Sequence, residues 1–170
     1  MGDGELPNVA TSEARLMIDG WVAVPAFIRD RYLTVVASNA LATALSPVFR
    51  EGVNLVRALF STEELPEDLR VDRQQIADTL RESLLRYEGD EDFELLVGEM
   101  SSMSPHFRAA WAGASETVEP VPFRVLHQRV GSISLAAHAM TMPGRSDLSL
   151  TVLRCTDDAS RAALNRLADG

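Results

Sequence analysis

Residues 122–155 read PFRVLHQRVGSISLAAHAMTMPGRSDLSLTVLRC, and this stretch decides the fold. Three runs rich in β-branched and apolar residues, 122–130, 132–142 and 148–155, are separated by Gly131 and by the turn-forming PGRSD. Strand-like runs joined by tight turns predict an antiparallel meander. Ile133, Leu135 and Ala137 alternate, but the next apolar pair is Met140 and Met142, and that one-residue phase slip predicts a β-bulge near His138. A turn at Val130-Gly131 would set His127 opposite Ser134 and His138 opposite Phe123. The two histidines would then share a face roughly 13 Å apart, too far to hold one ion without a third element.

Upstream, VPAFI (24–28) and YLTVVA (32–37) flank Arg29-Asp30-Arg31 and read as a β-hairpin. Between hairpin and meander the pattern is helical. Asn39 can cap a helix carrying Leu41, Ala44, Leu45, Val48 and Phe49, which Pro47 should bend or break. A short amphipathic piece, NLVRALF (54–60), leads to the acidic turn TEELPEDL. Asp72 can cap a helix over 72–87 with Ile76, Leu80 and Leu84 on one stripe, and Phe93, Leu96, Val97, Met100 and Met103 continue the rhythm after Gly89. Ser104-Pro105 restarts it, with Phe107, Ala110 and Trp111 on one face. Thr11 or Ser12 can open an N-terminal helix bearing Leu16, Met17 and Trp21, and Asp157 or Asp158 a C-terminal one bearing Ala162, Leu164 and Leu167. The economical solution is α+β: a five-stranded antiparallel sheet with helices over one face. Residues 1–10 read as a tail or linker and 11–170 as one domain.

Composition narrows the function. The 170 residues carry 46% apolar and 24% charged side chains, the balance of an ordinary globular domain. All 16 basic residues are arginines, set singly against 25 acids for a net charge of −9. Phosphate neutralisation needs a basic stripe, so direct DNA or anionic-membrane binding by this chain is not expected. One cysteine, no apolar run near ~20 residues and no signal-peptide pattern point to a cytoplasmic protein.

No catalytic signature emerges. No serine lies in G-x-S-x-G, and Ser104 reads as a helix cap. Cys155 reads as a structural thiol. His106, His127 and His138 lack metal-ligand spacing, and the acidic pairs Glu63-Glu64, Glu67-Asp68 and Asp90-Glu91-Asp92 fall in turns and helix starts. With no phosphate loop either, neither an enzyme nor a cofactor is expected, an inconspicuous site at Glu99, His106 or Ser104 being the remaining route to one. Ala136, Ala137 and Ala139 sit where a mid-sheet strand normally offers bulk. They leave room beneath helices that bring Phe49, Met100, Met103, Phe107 and Trp111, either for a hydrophobic ligand or for larger facing side chains.

Taken together, PAFIRDRYLTVVASNALATAL (25–45), NLVRALF (54–60), LLVGEMSSMSPHFRAAW (95–111) and HQRVGSISLAAHAMTMPG (127–144) resemble the ligand-binding domain of MmyB-like transcription regulators, relatives of XRE helix-turn-helix proteins. The resemblance covers about residues 12–168 and rests on order and spacing rather than on one motif. It implies a PAS-like fold and a sensor that binds a fatty-acid-like or other hydrophobic small molecule and adjusts an attached DNA-binding module. It implies DNA contact only through a helix-turn-helix outside this chain, which has about ten residues ahead of the matching stretch. Asn39, the run Ser104, Phe107, Arg108 and Trp111, and His127 match the family pattern. With Phe27, Phe49, Met103 and Ala137 they make up the expected ligand residues. Ala137 departs from the family, where a bulky residue is expected. A carboxylate ligand would want an arginine, Arg108 first and Arg29 or Arg31 second. The competing expectation is a dimerisation or interaction module with a packed interior, favoured by the acidic surface and by Trp21.

Overall fold

The computed structural model describes residues 6–114 and 120–170. Its helices are α1 (Leu6–Asp19), α2 (Ala40–Leu45), α3 (Leu55–Phe60), α4 (Arg73–Arg86), α5 (Glu91–Met103), α6 (Pro105–Ala112) and α7 (Asp158–Asp169). Its strands are β1 (Ala26–Asp30), β2 (Val35–Ser38), β3 (Leu69–Arg70), β4 (Phe123–His127), β5 (Gly131–Met142) and β6 (Arg145–Cys155), in the antiparallel order β2-β1-β6-β5-β4-β3. The α+β class is as expected, but the sheet has six strands, not five. The additional strand, β3, is two residues long and pairs Leu69 with Val125 and Arg70 with Arg124. So short a run between Pro66 and Asp72 shows no alternation in the sequence.

The helix caps follow local chemistry. Asn39, Asp72, Ser104 and Asp157 each accept a backbone N–H in the first turn of α2, α4, α6 and α7, supplying a partner that a helix start otherwise lacks. Pro47 ends α2's pattern and begins a 3-10 turn, Pro47–Phe49, capped by Ser46. Along α7 the buried apolar positions are Ala163, Leu164 and Leu167, while Ala162 faces outward. Helix α1 begins at Leu6, ahead of Thr11 and Ser12, and it buries Ala14 and Ile18 rather than Leu16 and Met17.

Both sheet faces are apolar, and that explains the meander. Phe27, Phe123, Val125, Ile133, Leu135 and Leu153 point into the large core beneath α2–α6. Ala26, Ile28, Ala37, Leu148 and Leu150 point the other way, into a smaller core closed by Ala14 and Ile18 of α1, with Trp21 and Met142 half-buried at its edge. Helices therefore cover more than one face. Met140 and Met142 belong to the second face, so β5 needs no bulge at His138. Its pairing with β6 runs unbroken from Leu135↔Cys155 to Thr141↔Ser149, and the irregularity comes at Thr141/Met142.

The β4–β5 hairpin also turns differently from the expectation. His127 pairs with Gly131 and Phe123 with Leu135, leaving three residues in the turn. Gly131 supplies the positive φ (85°) that this turn uses. His127 follows the alternation of Phe123 and Val125, whereas His138 lies on the opposite face across from Val152. The two histidines lie on the paired strands β4 and β5 but on opposite faces of the sheet.

Candidate ligand site

Strand alternation places Phe27 and Arg29 of β1, Phe123 of β4, Ala137 and Ala139 of β5, and Thr151 and Leu153 of β6 on the face of the large core. Opposite them stand Val48 and Phe49 from the 3-10 turn, Leu55 and Leu59 from α3, and Gln75, Ile76 and Thr79 from α4. These residues line a cavity of about 140 Å³ that opens to the surface near Ala139. It exists because Ala137 and Ala139 end at Cβ mid-sheet while neighbouring Leu135 and Leu153 pack fully. Phe27 stacks on Phe49 with ring centroids 5.3 Å apart, fixing one wall.

Arg29 lies at the polar end of this cavity. It is 9% exposed, and burial holds its pKa below the ordinary arginine value, against the fields of Glu82 and Asp30. A second space of about 130 Å³, lined by Thr79, Glu82, Ser83, Arg86, Thr141 and Ser149, meets the cavity at Arg29, Thr79 and Ala139. Other partly buried arginines are consumed by carbonyls. Arg73 donates to Leu59, Glu63 and Thr62, and Arg81 donates to Ala110, Trp111 and Gly113 at the end of α6. The Arg29 side chain makes no hydrogen bond or ion pair among the described residues. Thr151 Oγ1 is the one buried side-chain polar atom among them with no partner.

Of the residues expected to touch a ligand, Phe27, Phe49 and Ala137 line the cavity. Asn39 is structural glue: its side chain accepts from Ala26 N and Ala42 N and donates to the Ile18, Trp21 and Val24 carbonyls, tying α2, β1 and the end of α1 together. Ser104 caps α6 through Phe107 N. Phe107 is fully buried, edge-on to Phe60 and stacked on Trp111, whose other partner is the Arg81 guanidinium 5.0 Å from its ring centre. Met103 is 65% exposed, Arg108 is exposed and donates to the Ser101 carbonyl, and His127 Nε2 lies 3.0 Å from the Ala44 carbonyl. Those seven stand outside the cavity lining. Arg31 is also engaged, pairing with Asp90 at 3.1 Å and lying over the rings of Tyr32 and Tyr87.

Several lining residues lacked a signal in the sequence. Thr79 and Gln75 are ordinary helix-surface residues by type, and Thr151 sits in LSLTVLRC as one more β-branched strand residue. Only the alternation, counted from Leu153, places it inward. Cys155 is buried, and desolvation pushes its thiol pKa up, away from nucleophilic use. Among the described residues no three His, Cys, Asp or Glu side chains gather as a metal site. None of their helices is long and apolar enough to cross a membrane.

Comparison with known proteins gives one family. The profile described as the MmyB-like transcription regulator ligand binding domain matches residues 10–167. A search of curated protein sequences found no match.

Proposed function

The chain belongs to the MmyB-like transcription regulator ligand-binding domain family, and from that premise we propose that the Ala137/Ala139 cavity is its ligand site. In this reading the domain senses a hydrophobic, fatty-acid-like small molecule in the cytoplasm and controls an XRE-type DNA-binding module outside this chain. The hairpin, inserted helices and meander are read as a PAS-like frame, with the cavity between frame and helices. Phe27, Phe49 and Ala137 touch the ligand, and the α6 residues Phe107 and Trp111 hold the helical cover in place. No enzymatic step is part of this reading.

The single observation that carries it is the cavity itself. Well-packed interiors keep few voids larger than a water molecule, and this one of about 140 Å³ lies between sheet and helices, where ligand pockets form. An apolar ligand buried there gains roughly 0.8 kcal/mol per CH₂. Native mass spectrometry of the purified protein, followed by organic extraction, tests the proposal. A stoichiometric small amphiphile supports it. A clean apo mass with no thermal shift across a panel of fatty acids, alcohols and aromatic acids contradicts it.

A second reading, a dimerisation module, draws on a different surface. Leu16, Met17, Val22, Val24 and Met140 are exposed apolar residues on α1, on the segment after it and on the sheet's second face. It calls for a homodimer in light scattering that Met140→Glu dissolves while the cavity stays unoccupied.

A further inference from the structure

Two polar groups lining the cavity, the Arg29 guanidinium and Thr151 Oγ1, have no hydrogen-bond or ion-pair partner among the described residues, and they define what its ligand carries. Arg29 pairs with Ser149, and Phe27 with Thr151, across β1 and β6. Arg29 and Thr151 are therefore diagonal neighbours on one face, with Cα atoms about 7–8 Å apart, close enough for one small group to meet both. Burial of an arginine without a carboxylate, carbonyl or ring is costly, and removal of a hydroxyl from water without a partner adds to that cost. The nearby acids favour its charge only through space, because Glu82 Oε1 bonds Arg86 Nη2 at 2.9 Å rather than Arg29. Asp30 Oδ1 is likewise taken, accepting the Tyr32 and Thr34 backbone N–H groups at 2.9 Å each. The β1–β2 pairing slips between Ile28 and Arg29, a local irregularity of the kind that re-aims a side chain.

The size of the apolar chamber is equally informative. An apolar void of roughly 150 Å³ holds one benzene ring, and this chamber measures about 140 Å³. A long alkyl chain cannot be wholly buried in that volume.

We propose that the site takes a small carboxylate whose head meets Arg29 and Thr151 and whose body, a single ring or a chain of about six carbons, lies against Phe27, Phe49, Ala137 and Ala139. This deepens the ligand-sensor reading and rests on it. The head occupies the polar space shared with Thr79, where Ser83 and Ser149 offer further hydroxyls to a substituted acid. Arg29 supplies the charge and planar geometry that a carboxylate needs. The chamber's short apolar wall, rather than any charged group, limits chain length.

Calorimetric or NMR titration of the whole chain with hexanoate, benzoate, 1-hexanol and palmitate tests this, repeated on Arg29→Gln and Thr151→Val. The wild type is expected to bind hexanoate or benzoate and to bind palmitate more weakly. Arg29→Gln should weaken hexanoate at least tenfold and leave 1-hexanol unchanged, and Thr151→Val should weaken hexanoate a few-fold. Equal losses of hexanoate and 1-hexanol in Arg29→Gln would overturn the arginine's role. Palmitate binding tighter than hexanoate would overturn the size limit. Failure of the wild type to bind any of the four, 1-hexanol included, would overturn the cavity as a ligand site and this proposal with it. Should Arg29→Gln fail to fold, the hexanoate-to-hexanol ratio in Thr151→Val makes the same comparison, and an unchanged ratio there counts against the proposal.

Discussion

Replacing Ala137 with Leu should stabilise the protein and abolish ligand binding together. At about 24 cal/mol per Å³ of void, an empty cavity of about 140 Å³ costs the fold at most about 3 kcal/mol. Leu adds three carbons to a side chain that already faces the space, and at about 0.8 kcal/mol per carbon it recovers about 2 kcal/mol. For a chain of this length each kcal/mol raises Tm by about 2–4 °C, so the apo variant should melt about 4–8 °C above the wild type. The same three carbons occupy the volume that a ligand body needs, so the ligand-induced thermal shift should vanish. Stability gained and function lost is the expected trade at a site kept open for a ligand. Differential scanning fluorimetry with and without hexanoate reads both effects in one experiment. A fall in Tm would show that the space is already filled and that Leu overpacks it, at a cost of about 1–3 kcal/mol. An undiminished ligand shift would place binding elsewhere. Either result refutes the reasoning.

The other predictions separate scaffold from site. Asn39→Ala removes a helix cap worth about 1 kcal/mol and leaves buried groups unpaired at about 1–3 kcal/mol each, so urea unfolding should show a loss of 3 kcal/mol or more. A loss below 1 kcal/mol would mean that its five hydrogen bonds are redundant. Arg108→Ala should leave hexanoate affinity unchanged in titration, because Arg108 is exposed and bonds Ser101 on its own surface; a tenfold loss would restore it as the carboxylate partner. Asp157 accepts the Ser160 N–H at 2.7 Å and its hydroxyl at 3.0 Å, which hold its carboxyl pKa below the ordinary value. A depressed folded-state pKa gives stability that is present above the unfolded value of about 3.9 and lost as pH falls through the folded value. Denaturation curves should therefore converge for wild type and Asp157→Asn as pH drops below about 4; a constant gap from pH 7 to 3 would exclude that linkage.

The strands and caps that were legible in the sequence were those with a local cause. Asn39, Asp72, Ser104 and Asp157 cap helices because one side-chain oxygen reaches a backbone N–H two or three residues on, and that needs no knowledge of the rest of the chain. The meander was visible through Gly131 and PGRSD, but its register was not, because a three-residue turn and a tighter one satisfy the same composition. Met140 and Met142 suggested a bulge only under the assumption that the sheet has one apolar face. The second core under α1 removes the need for it, and the packing of α1 is a tertiary fact. Ala137 and Ala139 line the cavity, because absent side-chain volume on an inward strand position must be compensated or left open, whereas Ala136, one residue out of phase, points to the other face. Arg29 was legible as one of three arginines that could meet a carboxylate. Its rank was not, because being without a partner depends on where Glu82, Arg86, Asp90 and Ser101 fall in space. The Ser104, Phe107, Arg108 and Trp111 run is conspicuous in sequence through its aromatic and capping content. In three dimensions Ser104, Phe107 and Trp111 spend that content on holding α6 in place, and Arg108 faces solvent.

The most direct test of the account is an isotope-filtered NOE experiment on the methyl-labelled protein with bound hexanoate. The account predicts contacts from the ligand chain to the methyls of Ala137, Ala139 and Leu153, with the carboxylate end nearest Thr151. Contacts to Met140 or Leu164 instead, on the far side of β5 and on α7, would contradict it, as would a ligand that shows no contact with any core methyl.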